Sequence, residues 1–484
     1  MIFFKFFILG AITSLILPPF FMLPLGFIIF PLLTILLLKD SNNKSFFNLF
    51  FIGFCFGFGF LLLYLSWIYN PFLVFNSTKP FAFLAILFPA FLSFFFGISF
   101  LLYKFTKNFL NTILITPFVI IFTEFLISIF FYGFPWITNS LILSNNLFGF
   151  YLIKYSGTLT SGFLIIEIFL IPALFFEFNK IIKYKNLILI LHSPLFIVLI
   201  LIGYYSSFEL DEYTKEVKIE AYQILSPINK LNQNIIEQNI INIIKNTNSD
   251  YIIFAENNLP YLINEKNFSD LNRYIKEDSK VIIGATTFKN KNYYNTFFLI
   301  EKDNIQFFDK KILVPFGEFL PFRKYLNFME SISGSIDFEA GNVERKLTTK
   351  DNFNILPIIC YEIIFDQIFN NINKKKIDIL INITNDSWFG NKIGPYQHFY
   401  LTRIKALVAN KPLVRVSNNG ISAIIDQNGY IIKSSVLNKI SKLSFKLKMN
   451  KTISFIYFHN LFSYYLVILF FVLFIFNRKN LNAN

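Results

Sequence analysis

The sequence predicts two structural classes in one chain, a polytopic α-helical membrane domain followed by an α/β layered domain, with one more membrane helix near the C-terminal end. Three observations carry this reading. Hydrophobic residues make up 54% of the 484 and charged residues only 15%, a balance that no soluble domain of this size covers with polar surface. Apolar stretches long enough to cross about 30 Å of hydrocarbon recur along the first part of the chain. From about residue 212 to about 455, apolar runs of strand length alternate with polar turns and helical segments.

The apolar stretches fall near 3–18, 20–38, 46–68, 80–103, 109–131, 158–178 and 187–205, with another near 461–477. They predict a membrane domain at 1–211, an outer domain at 212–455, and a C-terminal helix with a short tail at 456–484. The first run resembles a signal peptide, but further spans follow at once and cleavage would leave the membrane assignment unchanged. The 68 Phe residues are read as compositional bias rather than as a cofactor box.

Charge placement orients the chain, because Lys and Arg in short loops resist translocation. With a cytoplasmic N-terminus, the inner flanks hold Lys5, Lys39, Lys44, Lys104, Lys107, Lys180, Lys183, Lys185, Arg478 and Lys479, against Lys79 and Lys154 outside. That puts 212–455 on the outer face, the periplasm of a bacterium. The formal charge of +14 is thus shared between loop flanks and scattered domain lysines, which argues against nucleic-acid binding. Two cysteines, Cys55 and Cys360, make no disulfide framework. His192, His398 and His459 lack ligand spacing, and neither HExxH nor CxxC occurs, so no metal site is expected.

Within 212–455 the predicted strands are Tyr251–Ala255, Val281–Thr287, Thr296–Ile300, Ile355–Ile359, Ile377–Thr384 and Leu413–Ser417, and a hairpin turns through Gln427-Asn428-Gly429. Helical periodicity marks Asn234–Lys245 and Tyr400–Ala409. Strands interleaved with helices over this length suit one α/β layered domain with its own core.

Cys360 follows the apolar run Ile355–Ile359, where a strand breaks into a turn whose N–H groups can stabilise a thiolate and a later oxyanion. An isolated Cys is more often a small buried hydrophobe, so its neighbours decide. Glu256 also ends an apolar strand, placing a carboxylate at a sheet edge, where it is either a general base or a solvated loop acid. Lys310 enters the apolar segment Ile312-Leu313-Val314, read as a strand, ahead of Pro315-Phe316-Gly317-Glu318; its amine is either an oxyanion partner or a surface charge.

These residues and their flanks resemble the nitrilase superfamily and, more narrowly, the apolipoprotein N-acyltransferases of bacterial inner membranes. The match runs the length of the chain. Glu256 closes a hydrophobic strand, Lys310 precedes Glu318 of a Val-Pro-Phe-Gly-Glu segment, and Cys360-Tyr361-Glu362 follows a strand. The most specific stretch is Asn382-Ile383-Thr384-Asn385-Asp386-Ser387-Trp388-Phe389-Gly390, then Gly394-Pro395-Tyr396-Gln397-His398, Arg403, and Asn418-Asn419-Gly420-Ile421-Ser422. Phe254-Ala255 stands where the family usually has Trp-Pro, and Val408 where it often has an acid.

The resemblance implies an αββα nitrilase-like sandwich with Glu256, Lys310 and Cys360 as catalytic residues and Glu318, Tyr361, Glu362, Asn385 and Trp388 in support. Asn385, Asp386 and Trp388 are expected in a pocket wall, and Arg403 in a structural ion pair. The implied reaction moves an acyl chain from a membrane phospholipid through a Cys360 thioester to the α-amino group of a diacylglyceryl-modified apolipoprotein cysteine, with no cofactor. His398 beside Ser387 invites a serine-hydrolase reading, but no GxSxG surrounds the serine. Glu124 and Glu167, inside predicted spans, are functional candidates by cost alone. Gly133-Phe134-Pro135-Trp136 is either a family-like outer loop or an interfacial anchor, and 319–329 either core or a lid meeting acyl chains. Two other readings remain open: a membrane-tethered amidase or nitrilase resolved by water, and a transporter or scaffold that would work without Cys360.

Overall fold

The computed structural model describes residues 2–39, 45–106, 109–174, 213–226, 233–263, 271–326, 329–330, 334–450, 459–460, 463–464 and 466–468. The chain forms two compact units, one of residues 1–69, 83–209 and 455–484, the other of 70–82 and 210–454. The outer loop 70–82, inside the predicted membrane domain by position, thus groups with the layered domain.

Among the described residues, Phe46–Tyr64, Lys79–Phe105, Asn111–Ile129 and Leu147–Leu174 are long and apolar enough to cross a membrane, and Ile2–Ile16 and Leu23–Leu38 are shorter apolar helices; all but 79–82 belong to the first unit. The span predicted at 158–178 begins earlier, at Leu147, in a helix that kinks at Gly157 (φ 80°). The run predicted at 80–103 is 3₁₀ at both ends around an α-helix at Leu87–Phe100. The predicted span 187–205 lies outside the described residues, as does most of 461–477.

Packing inside this unit is largely aromatic. Phe56 meets Phe96 at 6.1 Å and Phe100 at 5.6 Å between ring centroids. Trp136 is fully buried, 4.7 Å from Trp67 and stacked with Phe134. An interfacial anchor needs a wet edge, so that alternative fails. Glu124 is buried and accepts from Thr138 Oγ1 (2.6 Å), Asn139 N (2.8 Å) and Asn139 Nδ2 (2.9 Å). Its carboxylate holds a helix to the loop beyond it.

Among its described residues the second unit has twelve strands: β1 (Tyr213–Gln223), β2 (Tyr251–Phe254), β3 (Lys280–Lys289), β4 (Asn292–Glu301), β5 (Asn304–Asp309), β6 (Leu347–Thr348), β7 (Asn354–Ile359), β8 (Ile379–Thr384), β9 (Leu413–Ser417), β10 (Ala423–Ile425), β11 (Ile431–Ser434) and β12 (Ser441–Asn450). They form two six-stranded sheets, β12-β1-β2-β3-β4-β5 and β11-β10-β9-β8-β7-β6. In each sheet two parallel pairings, β1–β2–β3 and β7–β8–β9, are flanked by antiparallel ones.

Strand alternation explains the layering. In β2, Tyr251 and Ile253 join the core between the sheets with Ile355, Ile381 and Val414, while Ile252 and Phe254 meet Ile240 and Ile244 of the helix Gln233–Asn246. A strand covered on both faces reads as a continuous apolar run, which is why β2, β7 and β8 stand out in the sequence. On the second sheet, the helix Gly394–Ala409 packs on β9 and on the turn that starts at Cys360.

Candidate active site

Three strand ends converge. Past β2 the chain turns at Ala255-Glu256, beside Gly284 of β3. A Cβ on Gly284 would come within 2.7 Å of Glu256 Cα and 2.6 Å of Asn257 N, so only glycine admits this close approach. The Gly284 N–H donates to Ala255 O and its carbonyl accepts from Leu259 N–H, both at 3.2 Å.

Lys310 follows β5. Its N–H donates to Asn295 O at 2.8 Å, and its side chain, 1% exposed, donates from Nζ to Glu318 Oε1 at 2.8 Å. The segment after it is not the strand predicted from Ile312-Leu313-Val314. The chain instead turns, the Val314 N–H donating to Glu318 Oε2 at 2.8 Å and the Glu318 N–H to Val314 O at 2.8 Å. The turn folds Glu318 back onto Lys310. Asn295, in the middle of β4, bridges the carboxylates, donating from Nδ2 to Glu256 Oε1 (2.7 Å) and Glu318 Oε1 (3.0 Å).

Cys360 follows β7 directly and opens a 3₁₀ turn, Cys360–Ile364, with φ at 48°. A non-glycine residue in the left-handed region costs on the order of 1–3 kcal/mol and persists only where its surroundings over-determine it. Its thiol is buried and reaches the Glu256 carboxylate and the Thr384 side chain. The three residues expected to carry the chemistry therefore come together.

Burial, then the nearby Glu256 charge, push the Cys360 thiol up, so it rests protonated and needs a base. Burial also raises Glu256, against the pull of Lys310. Burial alone would lower Lys310, but the Glu318 and Glu256 carboxylates outweigh it and hold the ammonium charged. A carboxylate that readily accepts a proton beside a thiol and a permanent cation suits nucleophilic acyl chemistry.

Among the supporting residues, Glu362 is a cross-tie. Its carboxylate accepts from Arg345 Nη1 (2.7 Å) and Nη2 (2.6 Å), Lys311 N (2.9 Å), Ile312 N (3.1 Å) and Ile359 N (3.0 Å). Although burial opposes it, Arg345 holds Glu362 below the usual carboxylate range. It thereby joins the backbone after Lys310 to the backbone before Cys360. Tyr361 is buried, its ring 5.1 Å edge-on from Phe365. Asn385 caps the turn Asp386–Phe389 by accepting from Ser387 N–H at 3.2 Å. Trp388 faces Phe75 at 6.2 Å, and Asn70 Nδ2 donates to Phe389 O at 3.1 Å.

Two expectations need correction. Asp386 is no pocket wall: it is fully buried, accepting from Arg415 Nη2 at 2.6 Å and lying 2.9 Å from His398 Nδ1. Gly420 has no room for a side chain because a Cβ there would fall on the Asp386 carboxylate. Arg403 donates from Nε to Gly429 O at 2.7 Å, closing the Asp426–Tyr430 hairpin turn, and the deeply buried structural ion pair belongs to Arg415. His398, engaged by Asp386 and Arg415, is not a base for Ser387. Phe322 and Tyr325 are 61% and 74% exposed, which excludes core packing for that part of 319–329.

Sequence reading missed Asn295, Arg345 and Arg415. Arg415 had a local signal, a charge in the middle of the apolar run Leu413-Val414-Arg415-Val416, since a buried charge requires a partner. Among the described residues no group of His, Cys, Asp and Glu could hold a metal ion.

Residues 9–171 match the apolipoprotein N-acyltransferase N-terminal domain, and residues 230–441 match the carbon-nitrogen hydrolase family. The chain is 31% identical over 464 residues to the apolipoprotein N-acyltransferase of Rickettsia typhi, covering 90% of each. It is 32% identical over 425 residues to that of Wigglesworthia glossinidia brevipalpis, covering 81% of this chain and 82% of the relative. Among solved structures it is similar to Saccharomyces cerevisiae Nit3, a member of branch 10 of the nitrilase superfamily, with 16% identity and a TM-score of 0.38 over 49% of this chain and 91% of that one. With both domain families present in order and relatives matching nearly end to end, the chain belongs to the apolipoprotein N-acyltransferase family and is a multi-pass membrane enzyme of that family.

Proposed function

We propose that the chain transfers an acyl group from a membrane phospholipid to the α-amino group of a diacylglyceryl-modified apolipoprotein cysteine, through a thioester on Cys360. The observation that carries this is the convergence of a buried Cys360 thiol, the Glu256 carboxylate and the Lys310 ammonium at three strand ends. Glu256 takes the thiol proton as sulfur attacks the ester carbonyl. Lys310 and the Tyr361 N–H face the developing oxyanion. The intermediate collapses, the lysophospholipid alkoxide takes the proton from Glu256 and leaves, and the acyl group remains on sulfur. The acceptor amine then attacks the thioester, its proton passes to Glu256, and the thiolate is released and reprotonated. Burial of the site favours the amine over water as the second nucleophile.

The charge asymmetry of the loops supports placing 212–455 on the periplasmic side of a bacterial inner membrane, with 1–211 and 456–484 as the membrane parts. Exposed Phe322 and Tyr325 support a contact of their segment with acyl chains.

Intact-mass analysis of the purified protein after incubation with phospholipid, followed by a diacylated lipopeptide, tests the reaction. The expected result is an acyl adduct on the native chain, absent from Cys360→Ser, that the lipopeptide clears as its N-acylated form appears. Discharge by water alone would make the protein a hydrolase. No adduct, with lipid and peptide verified as active, would overturn the proposal.

A further inference from the structure

Glu362 ties the backbone after Lys310 to the backbone before Cys360; the turn that carries Glu256 is joined to the opposite sheet elsewhere. Ala255, fully buried in the core formed by both sheets, donates its N–H to Asn258 Oδ1 at 2.8 Å. The same amide donates from Nδ2 to Asn418 Oδ1 at 3.3 Å and to Ser226 Oγ at 3.4 Å. Asn418 follows β9 directly, on the second sheet, and its own N–H donates to Thr384 O at 3.0 Å. Its side chain clasps the segment after β1, accepting from Ser226 N–H at 2.7 Å and donating to Ser226 O at 2.6 Å. Asn258 and Asn418 are each 1% exposed.

The path runs from the base toward the nucleophile. It starts at the residue before Glu256, crosses between the sheets through two amides, and ends at Thr384, the last residue of β8. The parallel register Ile359–Ile383 sets Thr384 alongside the point where Cys360 leaves β7. A side-chain amide holds its acceptor and its donors on one rigid plane, so Asn258 cannot shift its grip on Ala255 without shifting its grip on Asn418. The other bonds on this turn act within the first sheet: Gly284 holds Ala255 to β3, and Asn295 joins Glu256 to Glu318. Apolar packing between the sheets is non-directional, whereas a hydrogen bond fixes distance and angle. A reacting group misplaced by about 1 Å loses about 10²-fold in rate.

We propose that Asn258 and Asn418 are positioning residues whose side-chain amides act as one link between the sheets and set the Glu256 carboxylate against the Cys360 thiol. This rests on the reading of Glu256 as the base that takes the thiol proton. The test uses the full-length protein in detergent micelles. Acyl-enzyme formation on Cys360 is followed against phospholipid concentration, so that the rate at saturation is read apart from the half-saturating concentration. Asn258→Ala removes the near half of the link, Asn418→Ala removes the far half, and the double variant removes both. If Asn258 served only its own turn, Asn418→Ala would keep the native rate; if the two acted separately, their losses would multiply.

Each single variant is expected to lower the saturated rate about 10- to 100-fold with the half-saturating concentration within about twofold of native. The double variant should match the slower single within about threefold, because a link cut once is already cut. A native rate in either single variant, losses that multiply in the double, or a raised half-saturating concentration in place of a lost rate would each overturn the proposal. If an alanine variant does not fold, Asn258→Ser and Asn418→Ser replace the pair under the same criteria, since each keeps a hydroxyl for its backbone partner but the two are too short to meet. Glu256→Gln, measured alongside, separates the two readings. Native acylation by Glu256→Gln means that Glu256 is not the base, and the reading of the site fails. Slow acylation by Glu256→Gln with native rates in the asparagine variants sinks only the link.

Discussion

The side of the site built by the first sheet holds Glu256, Lys310 and Glu318, while the side built by the second holds Cys360 backed by Asp386, His398 and Arg415. Both are buried, yet they treat charge in opposite ways. On the first side two carboxylates share one ammonium and one amide donor, Asn295, and burial leaves Glu256 easier to protonate than an ordinary carboxylate. On the second, one carboxylate meets Arg415 directly, and although burial opposes it the guanidinium holds Asp386 far below the usual carboxylate range. Glu256 can take up a proton above the ordinary carboxylate range, whereas Asp386 stays ionised. Under the proposed mechanism the lesson is a division of labour: one sheet supplies the base, and the other carries the nucleophile on the same sheet as a fixed ion pair.

That division can be broken experimentally. The largest effect belongs to Cys360→Ala, which is expected to leave no acyl adduct and no N-acylated product by intact-mass analysis. Glu256→Gln follows, slowing acyl-enzyme formation about 10²–10⁴-fold as a lost general base does, with little change in the denaturation midpoint. Asp386→Asn should behave in the reverse sense. It leaves Arg415 buried without its carboxylate, a loss of about 3–5 kcal/mol of stability, seen as a lower midpoint in detergent. Equal destabilisation by Glu256→Gln and Asp386→Asn would erase the distinction.

Smaller effects sharpen it through pH. Glu256 must be ionised to accept the thiol proton and its pKa is raised, so acylation should fall on acidification at a pH above the ordinary carboxylate range. Asn295 stabilises the ionised form, so Asn295→Ala should move that acid limb to still higher pH; a limb that stays put would mean another group sets it. The stability profile has its own sign. The folded value of Asp386 is depressed, so its contribution is present above the unfolded value of about 3.9 and is lost as pH falls through the folded one. Acid unfolding below about pH 5 should be correspondingly shallower in Asp386→Asn.

How much of this was legible depended on where each residue's partners lie. The strand at Leu413–Ser417 was read with its observed bounds, and those at Tyr251 and Ile355 within a residue, because both faces are covered and the apolar run announces itself. The paired strands β1 and β12 were missed. Their exposed face carries lysines and acids, as in Lys442–Glu220 and Lys446–Glu216, and that dilutes the hydrophobic signal while leaving the two-residue alternation intact. The run after Lys310 looked like a strand because Ile, Leu and Val are β-formers, yet Glu318 accepting from the Val314 N–H turns it into a loop. Local sequence left Trp136 open between an outer loop and an interfacial anchor, and only its burial against Trp67 decides against the anchor.

Local pattern in the chain was sufficient for the long apolar helices among the described residues and for several strands covered on both faces, and the resemblance of its motifs to a known family singled out Glu256, Lys310 and Cys360, since hydrophobic periodicity and motif spacing are properties of neighbouring positions. It could not say that Asp386 meets Arg415 across 29 residues or that Arg345 clasps Glu362 across 17. Nor could it say that Asn295 bridges Glu256 and Glu318 or that Cys360 stands in the left-handed region. Those are consequences of two sheets closing on one another, because a buried charge or amide acquires its partner only when the chain has brought distant segments within hydrogen-bonding distance.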